Sequence, residues 1–131
     1  VLSLRARIVS VRRLETGERA GYGLAFEAKR PTVLATVSIG YADGLPRSLA
    51  AQGGEVLLHG KRVPMVGRLC MDQLLIDATD AGETYSGEIV TLIGRDGEER
   101  ISAEELAGHC GTITNELFSR LGERLGRCIL P

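Results

Sequence analysis

Apolar and polar positions alternate along most of the chain up to residue 101, in short stretches separated by turn signals. Seven stretches have this character: residues 2–14, 20–27, 32–40, 55–58, 63–69, 73–78 and 88–94. Such alternation is typical of β-strands with one buried face. Because short strands at this spacing are typical of barrels and sandwiches, the sequence predicts a closed or nearly closed, mainly β domain.

The end of the chain carries a helical pattern instead. Ser102 and Glu105 fit a capping box, in which the serine hydroxyl accepts an early backbone N–H and the glutamate reaches back, so a helix should run to about His109. A second short helix is predicted near Thr114, followed by a last strand over 127–130. The predicted fold is therefore a single barrel-like β domain with two short helices near its C-terminus.

Length and charge narrow the class of protein. The 131 residues suffice for one domain, spanning 1–131, and are too few for a second core. A net charge of -1 lacks the positive excess that nucleic acids attract, so no nucleic-acid partner is expected. The longest stretch without a charge, 31–42, is about half of the roughly 20 residues that a bilayer span needs. We therefore expect a cytoplasmic location for this part of the protein.

Few residues could bear metal or imine chemistry. The chain contains three cysteines, two histidines and two lysines: Cys70, Cys110, Cys128, His59, His109, Lys29 and Lys61. An odd cysteine count without a C-x-x-C pair predicts reduced, mostly buried thiols, and no metal-ligand spacing is present. One histidine should lie in a solvated turn and the other at a helix end. Both lysines lie in turn sequences, where solvated side chains are expected rather than the desolvated amine that imine formation requires.

Three segments place polar or aromatic side chains where a plain β ladder does not need them. Tyr22 lies between two glycines, which weaken a strand unless a ligand or another backbone comes close, although the tyrosine could also pack on Phe26. Residues 40–47 set a tyrosine, an aspartate and an arginine on one irregular loop, which could equally be a turn closed by its aspartate. Residues 67–73 bring charged and amide groups beside apolar ones, as a bulge or a buried polar pair would.

Together these segments resemble the C-terminal β domain of alanine racemase. The resemblance rests on Tyr22 followed nineteen positions later by a second tyrosine in IGYADG (39–44), on VGRLCMDQ (66–73) and on GTITNE (111–116), in that order. It covers nearly the whole chain. The fold that it implies agrees with the barrel-like domain predicted from the alternation.

The resemblance implies that this chain is one part of an enzyme. In the family, pyridoxal phosphate is bound covalently by a lysine of an N-terminal (β/α)8 barrel, a fold of about 250 residues that this chain lacks. The chain alone is therefore expected to be inactive. Family dimers pack head to tail, and the C-terminal domain of each subunit enters the active site of its partner. The implied partners are that barrel, a second copy of the protein and a small amino-acid substrate.

The resemblance also implies roles for individual residues. Tyr22 becomes the second base, opposing the barrel lysine across the substrate Cα as a phenolate. Because the pKa of a phenol is about 10, a cation must favour the phenolate, and an arginine of the barrel is expected. Tyr41 lines the inner entrance, the backbone N–H of Met71 meets the substrate carboxylate, and Asp72 supports that loop. The access channel is lined by Arg47, Arg68 and Ile113.

The sequence departs from the alanine racemase pattern at one site position. Where the family has Thr-Ile-Asn-Tyr-Glu, residues 112–116 read TITNE, so Asn115 replaces a tyrosine that touches the cofactor phosphate and the space around the substrate side chain. The smaller amide frees volume and can hydrogen-bond a hydroxymethyl group, so Asn115 is a predicted substrate-binding residue with a weaker cofactor contact. The alternative is that Asn115 merely caps the helix that starts there. Residues 114–122 resemble serine racemases of the vancomycin-resistance type, in which a membrane domain precedes the racemase part.

These features predict a pyridoxal-phosphate-dependent racemase of serine or alanine, with serine slightly preferred, that makes D-amino acids for peptidoglycan precursors and is linked to vancomycin resistance. Its racemase part would face the cytoplasm, and a separate domain of the parent protein could anchor it to a membrane. Two rivals stand beside this prediction. One is a non-catalytic β-barrel module for binding or dimerisation. The other is a different enzyme of the same two-domain architecture, such as a basic amino-acid decarboxylase, although such enzymes lack the motifs at 40–44 and 70–73.

Overall fold

The structure, a computed structural model, describes residues 2–131 and contains nine strands and two α-helices. The strands are β1 (Leu4–Leu14), β2 (Arg19–Ala20), β3 (Phe26–Glu27), β4 (Thr32–Val37), β5 (Glu55–Leu58), β6 (Lys61–Val66), β7 (Leu74–Asp77), β8 (Ile89–Asp96) and β9 (Glu99–Ile101). The helices are α1 (Ala103–His109) and α2 (Thr114–Arg120). The predicted fold class, mainly β with two short helices near the C-terminus, is confirmed.

Seven of the strands form one antiparallel sheet that curls back on itself. Their order is β1-β4-β7-β6-β5-β8-β9, and β1 also pairs with β8. The 11-residue β1 reaches both neighbours because its residues 4–7 pair with β8 and its residues 8–14 pair with β4. This double pairing protects edges that an open sheet would expose to other chains.

Aliphatic side chains fill the interior of the barrel. Each long strand of the ring except β6 contributes a side chain of 0% exposure: Ile8, Val37, Val56, Ile76 and Leu92. Burial of each such side chain stabilises the fold by about 1.5–3 kcal/mol. Leu106 of α1 and Leu117 of α2 join the same core, so the two helices are packed onto the barrel. The loops that leave the barrel therefore start from a rigid base.

A smaller apolar cluster outside the barrel holds the β2–β3 hairpin. Ala20 lies opposite Phe26 across the hairpin. Ala20 packs with Leu14 and Leu34, and Phe26 packs against the same cluster. The hairpin is thereby attached to the outer face of β1 and β4.

The continuous strand predicted over 20–27 is wrong. Its centre is a turn, in which Tyr22–Leu24 form a 3-10 segment between the two short strands. Gly21 and Gly23 have φ values of 85° and 67°, a left-handed backbone that glycine adopts without strain. The Gly-Tyr-Gly sequence therefore reverses the chain rather than continuing a ladder.

The C-terminal part differs from prediction in three further details. Ser102 caps α1 as predicted, since its Oγ accepts the N–H of Glu105 at 3.0 Å. The reciprocal half of the capping box is missing, because the Glu105 carboxylate accepts hydrogen bonds from Arg62 instead. The strand predicted over 127–130 is wrong, since these residues are exposed and pair with no strand. The alternation pattern also did not indicate β9, which is only three residues long.

The histidines lie where the sequence predicted them, whereas the predicted burial of the cysteines needs correction. All three cysteines are free thiols, but the prediction that they are mostly buried is wrong, because Cys70 and Cys110 are only partly buried and Cys128 is exposed. His109 ends α1 as predicted. His59 lies in the predicted turn, where its ring also bonds Ala81 and Glu88. Among the described residues, no helix combines the length and the apolar character needed to cross a bilayer.

Candidate active site

Three of the four residues predicted to contact the substrate, Tyr22, Tyr41 and Met71, lie on three segments at one end of the barrel, which we call the rim. They are the Tyr22 turn (21–24), the Tyr41 loop (40–44) and the Met71 loop (67–73). The last two meet because the Tyr41 loop follows β4 and the Met71 loop precedes β7, and Val37 at the end of β4 lies opposite Leu74 at the start of β7. The topology therefore brings together motifs that are about thirty residues apart in the chain.

The Tyr22 side chain projects from a tightly held turn into solvent. It is 67% exposed, so the interpretation in which it packs on Phe26 as a half-buried strand residue is wrong. Arg19 fixes the turn from outside by donating to the Leu24 carbonyl at 3.0 Å and to Glu27 at 2.9 Å. A small cavity of about 140 Å³ separates the turn from the Met71 loop, with Arg68 in its lining.

Backbone hydrogen bonds join the Tyr41 loop to the Met71 loop. The N–H of Tyr41 donates to the carbonyl of Cys70 at 3.0 Å, and the N–H of Ala42 donates to that of Met71 at 2.9 Å. A side chain at Gly40 would overlap those two carbonyl oxygens, so this close approach requires glycine. Tyr41 and Met71 are thus held side by side, and their side chains remain 37% and 58% exposed.

The amide of Met71 is free to bind a ligand. Within residues 2–131 its N–H donates no hydrogen bond, whereas the neighbouring N–H of Cys70 closes the loop onto the Gln73 carbonyl at 3.0 Å. An N–H without a partner in the described residues, on an exposed residue of a loop fixed from both sides, suits an anionic group such as a carboxylate.

Two carboxylates of the rim share one cation. Asp43, which is buried, accepts the N–H of Gly40 at 3.1 Å and Arg124 Nε at 2.8 Å. Asp72 accepts the other end of the same guanidinium at 2.5 Å. Both hydrogen bonds raise the pKa of Arg124 above its ordinary value, and the bond to Asp43 has the larger effect. The aspartate of the 40–47 motif does bond its own loop, as the turn interpretation held, but it also contacts the C-terminal tail.

Arg47 and Arg68 both line a neighbouring cleft of about 520 Å³. Arg120, Glu116 and Cys110 also line it. Burial raises the pKa of the Cys110 thiol, which disfavours the nucleophilic thiolate. The structure therefore brings the two arginines predicted for an access channel together, and it adds Arg120, which the sequence motifs did not single out.

Ile113 and Asn115 lie where α2 begins, next to this cleft but not in its lining. Ile113 is the N-cap residue of α2, and no side chain provides a capping hydrogen bond, so the interpretation of Asn115 as a helix cap is wrong. Both residues are exposed, Ile113 to 66%. Their side chains are therefore accessible to a ligand or to another part of the protein that packs against the start of α2.

The two lysines do not form a site for covalent attachment of pyridoxal phosphate. Lys29 is exposed and paired with Glu27, and Lys61 is exposed and donates to the Asp80 carbonyl at 3.2 Å. Neither amine is desolvated, which imine formation would require. The residues of the rim fit the substrate side of such a site, and the attachment point fits a lysine outside this chain.

Comparison with known proteins identifies the family. The family model described as "Alanine racemase, C-terminal domain" matches residues 1–129. The chain belongs to this family. An amino-acid racemase of Enterococcus faecalis is 46% identical over 122 residues, which are 93% of this chain and 17% of that protein. An alanine racemase of Methanococcus maripaludis is 42% identical over 129 residues, 98% of this chain and 34% of that protein.

Solved structures agree with this assignment. The alanine racemase of Bartonella henselae, crystallised with covalently bound pyridoxal phosphate, superimposes with a TM-score of 0.88 at 36% identity, covering 96% of this chain and 34% of that one. The chain thus spans about a third of the alanine racemases that it matches, and it corresponds to their C-terminal part. The relatives named here carry the names alanine racemase and amino-acid racemase.

Proposed function

We propose that this domain completes the active site of a pyridoxal-phosphate-dependent racemase that interconverts the enantiomers of serine and alanine. The observation that carries the proposal is the exposure of Tyr22. This residue is 67% exposed and lies on a turn that is fixed by hydrogen bonds. The packing of the domain core does not involve this side chain. A base that must reach a substrate bound by another domain requires such exposure.

Racemisation needs two proton transfers on opposite faces of the substrate Cα. Bound pyridoxal phosphate supplies the electron sink that makes the Cα proton removable. Tyr22 removes or returns the proton on one face through its phenolate oxygen, and a lysine of the N-terminal barrel serves the other face. Because a free phenol has a pKa of about 10, a cation of the barrel, an arginine in our proposal, must stabilise the phenolate.

The other rim residues bind and orient the amino acid. The free N–H of Met71 donates to the substrate carboxylate, and Asp72 supports the loop that presents it. Tyr41 lines the inner entrance beside the Met71 side chain. Arg47 and Arg68, which share the cleft described above, line the access channel together with Ile113.

Asn115 is the proposed determinant of substrate choice. It is exposed in the first turn of α2, and it stands where the family pattern has a tyrosine. An amide leaves space for a hydroxymethyl side chain and can donate to its oxygen, which favours serine over alanine. A weaker contact of Asn115 with the cofactor is part of this proposal.

The rim is completed, in our proposal, by a second copy of the parent protein. In a head-to-tail dimer, the Tyr22 turn, the Tyr41 loop and the Met71 loop enter the active site of the partner. The exposed apolar side chains of Tyr22, Met71 and Ile113 then become buried at the interface.

The biological setting that we propose is D-amino acid synthesis for peptidoglycan precursors in vancomycin resistance. The 46% identity with an Enterococcus faecalis protein named amino-acid racemase supports only the amino-acid racemase part of this setting. That relative is considerably longer than the alanine racemases, since this chain covers only 17% of it. We further propose that the racemase part works at the cytoplasmic face, with a separate domain as anchor.

Solvent-proton exchange tests the role of Tyr22. In the full-length, cofactor-loaded enzyme, Tyr22→Phe should lower exchange of the Cα proton from one substrate enantiomer by about 10²–10⁴-fold while exchange from the other persists. Proton NMR in deuterium oxide measures both rates. Exchange from both enantiomers at the wild-type rate would remove Tyr22 from the mechanism, and a wild-type protein without racemase activity would favour the non-catalytic module.

A further inference from the structure

Arg124 is the contact between the C-terminal tail and both substrate-facing loops. It follows α2 by four residues, and its guanidinium donates through Nε to Asp43 at 2.8 Å and through a terminal nitrogen to Asp72 at 2.5 Å. Asp43 belongs to the Tyr41 loop and Asp72 to the Met71 loop. One planar cation therefore spans the two segments that carry the rim residues.

The two carboxylates differ in their exposure and in the other hydrogen bonds that they accept. The Asp43 side chain is only 6% exposed, and its second oxygen is already occupied by the N–H of Gly40 at 3.1 Å. The Asp72 side chain is 62% exposed and has no other hydrogen bond within the described residues. Arg124 is thus anchored at the buried carboxylate and holds the exposed one.

The backbone of the tail is attached at the same place. The N–H of Gly122 donates to the carbonyl of Asp43 at 2.9 Å, so the chain after α2 lies directly against the Tyr41 loop. The same tail leads back to α2, whose first turn carries Asn115. The bridge consequently connects the proposed specificity residue with the loops that present Tyr41 and Met71.

We propose that Arg124 is a positioning residue that fixes the Met71 loop against the Tyr41 loop in the geometry that binds substrate. The role rests on the proposed function, since it matters for catalysis only if the rim faces a substrate. Without the guanidinium, Asp43 and Asp72 repel each other, and Asp72 has no partner to hold the residue after Met71. The Met71 N–H then samples positions away from the substrate carboxylate, which weakens binding before it affects proton transfer.

The test uses the full-length, cofactor-loaded enzyme and three variants. Arg124→Met removes the cation, and Arg124→Lys keeps a charge without the planar fork. Arg127→Met is a matched control from the same exposed tail, because the Arg127 side chain makes one hydrogen bond within the described residues, to the Leu121 carbonyl at 3.2 Å. Steady-state kinetics give KM and kcat for the amino acid. Hydrogen exchange measured by mass spectrometry reports the loops independently of activity.

We expect Arg124→Met to raise KM by about tenfold and to lower kcat by a smaller factor. Amide exchange should accelerate in peptides that contain residues 40–44 and 70–73, and it should stay unchanged in peptides from β8. Arg124→Lys should lie between wild type and Arg124→Met in both measurements. Arg127→Met should match the wild type.

Two results would overturn the inference. One is an Arg124→Met enzyme whose KM and loop exchange equal those of the wild type. The other is accelerated exchange in β8 to the same extent as in the loops, because that would make Arg124 a general stabiliser of the fold. The exchange measurement separates this inference from the proposed function: a full-length wild type without racemase activity would refute the function, while the loop exchange would still report whether Arg124 holds the two loops together.

Discussion

The barrel and the rim use opposite means to become rigid. In the barrel, Val37, Ile76 and Leu92 have 0% exposure, and the apolar contacts between strands hold the structure. In the rim, Tyr22 and Met71 are 67% and 58% exposed, and the loops are held by backbone hydrogen bonds, a glycine contact and the Arg124 bridge.

This difference separates stability from function within one small domain. The barrel derives its stability from the aliphatic side chains that it buries. The rim keeps its aromatic and apolar side chains in solvent at the cost of an exposed apolar surface, which is typical of a surface that another protein part covers. The rim therefore holds exposed side chains in fixed positions, where they can contact a ligand and a partner.

The largest expected effect is on stability and distinguishes the two regions directly. Ile76→Ala should lower the free energy of unfolding by about 2–5 kcal/mol, because the cavity left in the closed barrel cannot collapse. Met71→Ala in the rim should change it by about 0.5 kcal/mol or less, since that side chain is already solvated in this domain. Urea denaturation of the chain measures both. Equal losses for the two variants would contradict the division between barrel and rim.

The next effect concerns substrate choice. In the full-length enzyme, Asn115→Tyr should shift the ratio of kcat/KM for serine to that for alanine by about tenfold toward alanine, because the phenol refills the space and removes the amide. Racemisation of the two substrates, followed by chiral chromatography, gives the ratio. An unchanged ratio would mean that Asn115 lies outside the substrate pocket.

The smallest effect tests a polar contact at the end of the barrel opposite the rim. Within the turn between β5 and β6, His59 Nδ1 lies 2.7 Å from the Ala81 carbonyl, and Nε2 bonds the Glu88 carboxylate. When the Glu88 carboxylate is ionised, both partners accept, and the charged ring with a proton on each nitrogen satisfies both contacts. The hydrogen bond to Glu88 is the largest cause that raises the pKa of His59, and the bond to Ala81 is the second largest. The same bond to His59 lowers the pKa of Glu88.

The direction of these pKa shifts fixes the pH window. The raised pKa of His59 gives stability that is complete below its ordinary value of 6.5 and is lost as the pH rises through the higher folded value. The lowered pKa of Glu88 gives stability that is present above 4.5 and is lost on acidification. Wild type should therefore exceed His59→Gln by at most about 1 kcal/mol between these values, and by less above pH 6.5. Denaturation at several pH values measures the difference, and a difference that grows above pH 6.5 would contradict the assignment.

The sequence predicted the barrel well because alternation reports directly which face of a strand is buried. It failed at the Tyr22 turn, since Gly-Tyr-Gly fits both an interrupted strand and a tight reversal, and the apolar cluster that selects the reversal is assembled from β1 and β4. The strand expected over 127–130 failed for a related reason, because apolar residues there have no neighbouring strand to pair with.

The candidate site was predictable only as far as local motifs reach. The motifs at 40–44 and 66–73 identified the two loops and suggested their proximity only through the family resemblance. Arg124 carries no local signal, since its partners lie 81 and 52 positions away in the chain. Arg120 likewise lines the cleft because α2 packs against the barrel there. The sequence predicted this helix but not the surface against which it packs.

The central claim is that this domain completes an active site of the partner subunit, and complementation between two inactive full-length variants tests it most directly. One variant carries Tyr22→Phe and the other lacks the cofactor-binding lysine of the barrel. When the two are unfolded, mixed in equal amounts and refolded with pyridoxal phosphate, the random heterodimers should restore about a quarter of wild-type racemisation, because each contains one site with both bases. If the mixture is no more active than the separate variants, then Tyr22 does not serve the partner's site and the account is wrong.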